Sequence, residues 1–279
     1  AYMSYQWSHG PRRCNNCYES IKGEIPLPNP STPVMYYDFL CGGYPFFVLD
    51  VRTERYRDDI EGSINDNHML GRPSLDPTAE PSQLDRLVHW LINQQQARGN
   101  CPKFIASSSV FTPNTVESTK SEKYKEASDS WPGYPKTRRS ILDCIVKNNI
   151  QNVIFLSGDI HCCTLSQMTF SDNPDLKAYN ITSSAFYWPF PFADGSPSHY
   201  VHDSLKPHHD TFELSKGNGS MDYEAWGFSQ ADNFFRIDVD ANKDQLCVAA
   251  FGMKGEQLVT RKQDGKLDAK PHILKLAKW

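Results

Sequence analysis

The chain has 279 residues, 39% hydrophobic and 12% aromatic, enough to bury a large core and to exclude a disordered or low-complexity protein. A formal net charge of −4 offers no general basic field for nucleic acid, so no nucleic-acid-binding patch is expected. No apolar run approaches the roughly 20 residues that span a bilayer, and the eight cysteines are too scattered for a disulfide framework.

In chain order, residues 1–36 contain Pro26, Pro28, Pro30 and Pro33, which forbid a continuous helix or central strand. They predict a wrapping loop after a short amphipathic start. Cys14-Asn15-Asn16-Cys17 has the spacing of half a zinc site, but no second pair follows at a matching distance, so it reads as a loop with two thiols. Residues 45–52 are apolar on both faces and predict a strand in a covered sheet. The polar segment 52–59 after them is expected at the sheet's carboxyl edge. Leu84, Leu87, Val88, Leu91 and Ile92 share one helical face, predicting a helix over 81–98 that Gly99 ends. A second strand over 103–107, a long loop over 111–131 and a second helix over 136–148 follow. The alternation predicts an α/β fold with at least partly parallel strands. Segments 176–184, 233–239, 245–251 and 257–261 predict an antiparallel second sheet or sheet edge.

Val153-Ile154-Phe155-Leu156 reads as a buried strand, and Gly158-Asp159-Ile160-His161 leaves it directly. In extended backbone, residues two apart share a side. Asp159 and His161 are therefore expected to converge at the carboxyl end of a central strand, where open α/β sheets place their ligands. A carboxylate and an imidazole there suit a hard or borderline divalent cation. The alternative is an aspartate capping the strand exit beside a surface histidine.

Several blocks in fixed order resemble one family. They are Phe46-Phe47-Val48-Leu49-Asp50-Val51-Arg52, then Met69-Leu70-Gly71 leading into Gln83 and Trp90-Leu91. Asp129-Ser130-Trp131-Pro132-Gly133-Tyr134-Pro135 with Arg138 and Arg139 follows, then Leu156-Ser157-Gly158-Asp159-Ile160-His161 and Asn233-Phe234-Phe235-Arg236-Ile237. Together they resemble the PhoD-like alkaline phosphatases of the metallophosphoesterase superfamily over most of the chain. The resemblance implies a four-layer αββα sandwich with mixed sheets. It also implies a metal-dependent phosphomonoesterase or phosphodiesterase, with two metal ions (calcium and/or iron, or another divalent transition metal) that activate a water for in-line attack on a phosphate ester. Family members carry further ligand-bearing blocks upstream, and Ala1-Tyr2-Met3-Ser4-Tyr5 resembles the short helix after them. The chain is thus expected to be one incomplete domain, 1–279, with a wrapping segment over 1–36, a sandwich core over 37–279 and its N-terminal part missing.

In the assembled enzyme the resemblance implies Asp159 and His161 as metal ligands, with Asp50 and Ser157 as candidates to hold them. Arg52 is the candidate catalytic and substrate-binding phosphate clamp, because guanidinium binds phosphate oxygens bidentately and stays charged. Its alternative is a salt bridge to Asp50, Asp58 or Asp59. Trp131 and Tyr134 are candidates to wall the substrate cleft, or else to pin a loop to the sheet by aromatic packing. The aromatic run 186–192 reads as a lid or a packing patch, and His199, His202, His208 and His209 fit no compact metal motif. Asn180-Ile181-Thr182 and Asn218-Gly219-Ser220 match glycosylation acceptors. Two other readings compete: a non-catalytic binding or regulatory half-domain, and a thiol-dependent enzyme built on Cys162 or Cys163. Adjacent strand residues point oppositely, so His161 pairs poorly with Cys162.

Overall fold

Apolar residues on both faces of the central strands demand cover on both sides, and the computed structural model supplies it. It describes residues 34–57, 67–72, 78–114, 130–183 and 211–279. The elements are β1 (Tyr37–Cys41), β2 (Tyr44–Val48), α1 (Gln83–Arg98), β3 (Lys103–Ser107), α2 (Pro135–Lys147), β4 (Val153–Ser157), β5 (Cys163–Phe170) and β6 (Ala178–Thr182). Then come β7 (Phe212–Glu213), β8 (Ser220–Ser229), β9 (Asn233–Asp240), β10 (Gln245–Gly252), β11 (Thr260–Arg261), β12 (Leu267–Asp268) and β13 (His272–Lys275).

The large sheet runs β1-β2-β3-β4-β6-β5-β8-β7. Its centre, β2 to β3 to β4 to β6, is parallel, while β1, β5, β8 and β7 pair antiparallel around it. A smaller antiparallel sheet runs β13-β10-β9. Alternation along each central strand divides its side chains between two cores. Ile105, Phe155 and Ala178 join Leu87 and Leu91 of α1 and Ile141, Leu142 and Ile145 of α2. Their neighbours Phe104, Ile154 and Tyr179 join Leu246, Val248 and Leu274 of the smaller sheet. The described residues thus form three layers: a helix pair, a large mixed sheet and a small antiparallel sheet.

Local chemistry sets the element boundaries. Helix α1 starts with a capping box: the Asp85 N–H donates to Ser82 Oγ (3.2 Å) and the Ser82 N–H to Asp85 Oδ2 (3.0 Å). Just past its other end, Lys103 is fully buried, and its ammonium donates to the carbonyls of Gly99 (2.8 Å), Cys101 (2.9 Å) and Gln151 (3.2 Å). Burial pushes its pKa down to about 8. The three carbonyls tie the amino ends of β3 and β4 to the end of α1.

Three expectations are corrected. The strand expected over 45–52 is β2 and ends at Val48, not Arg52, because Asp50 turns the backbone there, and β1 precedes it over Tyr37–Cys41. The segment over 176–184 belongs to the large sheet: β6 is parallel to β4 and buried along its whole length, rather than part of an antiparallel second sheet. The glycosylation acceptors are enclosed. Asn180 is fully buried between Ser157 and Thr182, and Asn218 donates to Asp143 Oδ1 (2.6 Å) in the interior. The wrapping segment expected up to residue 33, the aromatic run 186–192 and the histidines over 199–209 lie outside the described residues. Among the described residues no helix is long and apolar enough to cross a membrane.

Candidate active site at the strand carboxyl ends

Parallel pairing brings four carboxyl ends to one edge. Val48, Ala106, Leu156 and Ile181 stand side by side across β2, β3, β4 and β6. The ladder continues one step further, from the Leu49 N–H to the Ala106 carbonyl (2.8 Å) and from the Ser183 N–H to the Ser157 carbonyl (2.9 Å). Beyond this line β2 delivers Asp50 and Arg52, and β4 delivers Asp159 and His161. One strand separates the two, so their axes lie about 10 Å apart at the usual interstrand spacing.

The strands turn polar as they reach this edge. On the helix-facing side, Ser157 Oγ donates to Asn180 Oδ1 (2.9 Å) and Asn180 Nδ2 to Thr182 Oγ1 (2.8 Å). Ser107 Oγ donates to the Ser109 carbonyl (2.6 Å), and Thr112 Oγ1 meets Ser166 Oγ (2.5 Å). Ser157 is therefore committed to Asn180.

Asp159 and His161 reach the edge by a different route from the one predicted. They lie in the turn after β4, with φ of +80° and +50°, so strand alternation does not govern their directions. Aspartate and histidine tolerate the left-handed region better than most residues, yet two within three positions is a local constraint of the kind that gathers at functional sites. Ile160 between them is buried and anchors the turn, Asp159 is exposed and His161 half-buried. Among the described residues no third histidine, cysteine, aspartate or glutamate joins them in a group able to hold a metal ion. The donor pair fits a divalent cation in type but supplies only part of a coordination sphere.

Arg52 is exposed, and its backbone is fixed. Asp50, 3% exposed, accepts the N–H groups of Arg52 (2.9 Å) and Thr53 (2.8 Å) on Oδ1 and the Thr53 hydroxyl on Oδ2. This carboxylate shapes the Arg52 turn instead of holding Asp159 or His161. Gln83, fully buried at the start of α1, accepts the Asp50 N–H (2.8 Å) and donates to the Asp50 carbonyl (2.9 Å) and to Glu54 Oε2 (3.3 Å). Sequence reasoning gave Gln83 no role. It stood among the family-like blocks without a role, and a second signal was an amide at the first turn of an amphipathic helix, on the face otherwise reserved for apolar residues.

Burial beside this cluster raises the Glu54 carboxyl to about 7; Asp50 adds to the rise, and the Gln83 hydrogen bond and Arg86 oppose it. Trp131 and Tyr134 do not line a cleft. Both are fully buried. Trp131 packs edge-on against Phe111 with ring centres 4.9 Å apart, and its Nε1 donates to Ser107 Oγ (3.2 Å). They are packing residues that seat the start of α2 on the sheet. Cys163 does not suit thiol chemistry: it is fully buried, burial pushes its thiol far above the ordinary range, and its Sγ donates to the Gly227 carbonyl (3.4 Å).

The PhoD-like phosphatase family model matches residues 25–224, most of the chain and every residue of this edge. The chain belongs to the PhoD-like phosphatase family. It is similar to alkaline phosphatase D of Bacillus subtilis (strain 168), 28% identical over 172 residues, covering 60% of this chain and 26% of that protein. A solved structure described as the structure of PhoD aligns with 98% of this chain and 45% of its own, at 19% identity and a TM-score of 0.48. The chain therefore spans about a quarter of the curated relative's length and under half of the solved structure's.

Two outcomes are expected. Asp159→Gly, which accepts the left-handed backbone, should stay within about 1 kcal/mol of the wild type, whereas β-branched Asp159→Val should lose about 1–3 kcal/mol in urea unfolding. The Glu54 carboxyl, raised in the folded protein, contributes stability that is full below pH 4.5 and lost as pH rises through about 7. Glu54→Gln should therefore lose less stability than the wild type between pH 4.5 and 7.5; identical pH profiles would contradict that.

Proposed function

We propose that the protein is a metal-dependent phosphoric ester hydrolase, a phosphomonoesterase or phosphodiesterase of the alkaline phosphatase D type, acting at the carboxyl edge of the parallel strands. The observation that carries this reading is the common edge shared by the Arg52 turn after β2 and the left-handed Asp159–His161 turn after β4. Family membership supports the reaction class.

In this reading Asp159 and His161 are two ligands of a two-metal centre whose other ligands lie outside the described residues. When bound, such a pair supplies an activated water and positive charge at the phosphate oxygens. Calcium, iron and other divalent transition metals are compatible with a carboxylate and an imidazole. Arg52 binds two oxygens of the phosphate, orienting the ester in line for attack and gaining strength as charge develops on them. Trp131 and Tyr134 keep the wall behind the edge rigid without touching substrate. A helical layer over the smaller sheet would complete the four-layer αββα sandwich, and the region over 37–279 would form its core within one domain.

The test is hydrolysis of p-nitrophenyl phosphate and its bis-ester by the metal-loaded full-length enzyme that carries these residues, with metal content measured beside it. Asp159→Ala and His161→Ala should each lose most turnover and most metal. Arg52→Ala should keep its metal but bind phosphate roughly 10- to 100-fold more weakly, the value of a lost charge-assisted hydrogen-bond pair. Full metal content and turnover in the first two variants would overturn the reading, and unchanged kinetics in the third would return Arg52 to a structural salt bridge.

A further inference from the structure

Arg52 stands beyond the end of β2, where no interstrand ladder holds the chain. Something else must fix its position, because a phosphate clamp that wanders loses its advantage: small misplacements of a binding group cost large factors in rate. Two side chains supply the fixation. The Asp50 carboxylate gathers the N–H groups of Arg52 and Thr53 and the Thr53 hydroxyl into one tight turn. That turn is only as well placed as Asp50 itself. Gln83 takes both backbone groups of Asp50, the N–H and the carbonyl, in the pairing that a neighbouring strand would otherwise provide. Its remaining amide N–H goes to Glu54, on the far side of the same turn.

Gln83 is itself fully enclosed. It is 0% exposed, and it is the first residue of α1, whose first turn is locked by the Ser82–Asp85 capping box. A fully buried amide is expensive unless all its groups are used, and here the oxygen and the nitrogen are both engaged on the five-residue stretch 50–54. We propose that Gln83 is a positioning residue for Arg52, a side-chain substitute for a sheet neighbour that holds the β2 exit so that the guanidinium is presented at the strand ends. The inference rests on the phosphate-site reading above and adds a residue that acts through Arg52 instead of touching substrate.

A double-mutant cycle separates this role from ordinary core stability. The binding constant for inorganic phosphate and the KM and kcat for p-nitrophenyl phosphate are measured for the wild type, Gln83→Met, Arg52→Ala and the double variant. Gln83→Met keeps the volume and removes every hydrogen bond. It should weaken phosphate binding and raise KM about tenfold with Arg52 present, and change them less than twofold once Arg52 is alanine. Equal losses in both backgrounds would overturn the positioning role. An Arg52→Ala variant that binds phosphate as the wild type does would instead overturn the underlying site reading, so the two failures are distinguishable.

Should Gln83→Met not fold, Gln83→Glu serves, because it keeps the acceptor for the Asp50 N–H and loses both donations. Amide hydrogen exchange at Arg52 and Thr53 should then quicken together with a loss of phosphate affinity. Unchanged exchange and affinity in that variant would also overturn the proposal.

Discussion

The parallel pairing of β2, β3, β4 and β6 is the constraint on which everything else depends. Parallel strands align like ends with like ends, so residues far apart in sequence, Arg52 and His161 among them, leave the sheet along one line. It also exposes each strand to two cores at once. Phe104 and Ile105, Ile154 and Phe155, and Ala178 and Tyr179 each split between the helix-facing and the sheet-facing interior. Burial of both faces fixes the register firmly, since a slip of one residue would exchange the two cores. The edge is rigid because the layers behind it are full.

At the edge the apolar logic stops and hydrogen bonding takes over. Ser107, Ser157, Asn180, Thr182 and Ser166 occupy inward positions just where the strands end, and they satisfy one another or nearby backbone. Past that line none of the four parallel strands extends its ladder among the described residues, and each exit needs its own device. The β2 exit uses Asp50 and Gln83. The β4 exit uses a left-handed backbone at Asp159 and His161 with Ile160 sunk between them. The proposed site on this edge would draw its precision from turns pinned to helices and core, not from the strands that carry it.

Much of this was legible in the sequence, and the reasons are physical. The helix periodicity of Leu84, Leu87 and Leu91 and the strands over 103–107 and 153–157 rest on strong local patterns, and the structure has them within a residue or two. Strands β5 and β8 were not legible. β5 follows the Asp159–His161 turn without a break in composition, and β8 carries a glycine at φ +78° opposite a register irregularity near Cys163, which blurs any period-two signal. Strand alternation singled out Asp159 and His161, but turn conformation, not alternation, sets their directions. The burial of Trp131 and Tyr134, and the grip of Gln83 on Asp50, depend on contacts across 24 and 33 positions, which local pattern cannot encode.

The central claim is that the exits of β2 and β4 form one site. Titrating the protein with Mn²⁺ while following backbone amide resonances tests it most directly, because paramagnetic broadening reports distance from the ion. The account predicts that amides over 158–162 broaden first, that those over 50–53 broaden with them, and that added inorganic phosphate sharpens the Arg52 response. Broadening confined to other parts of the chain, or reaching one exit and never the other, would contradict it.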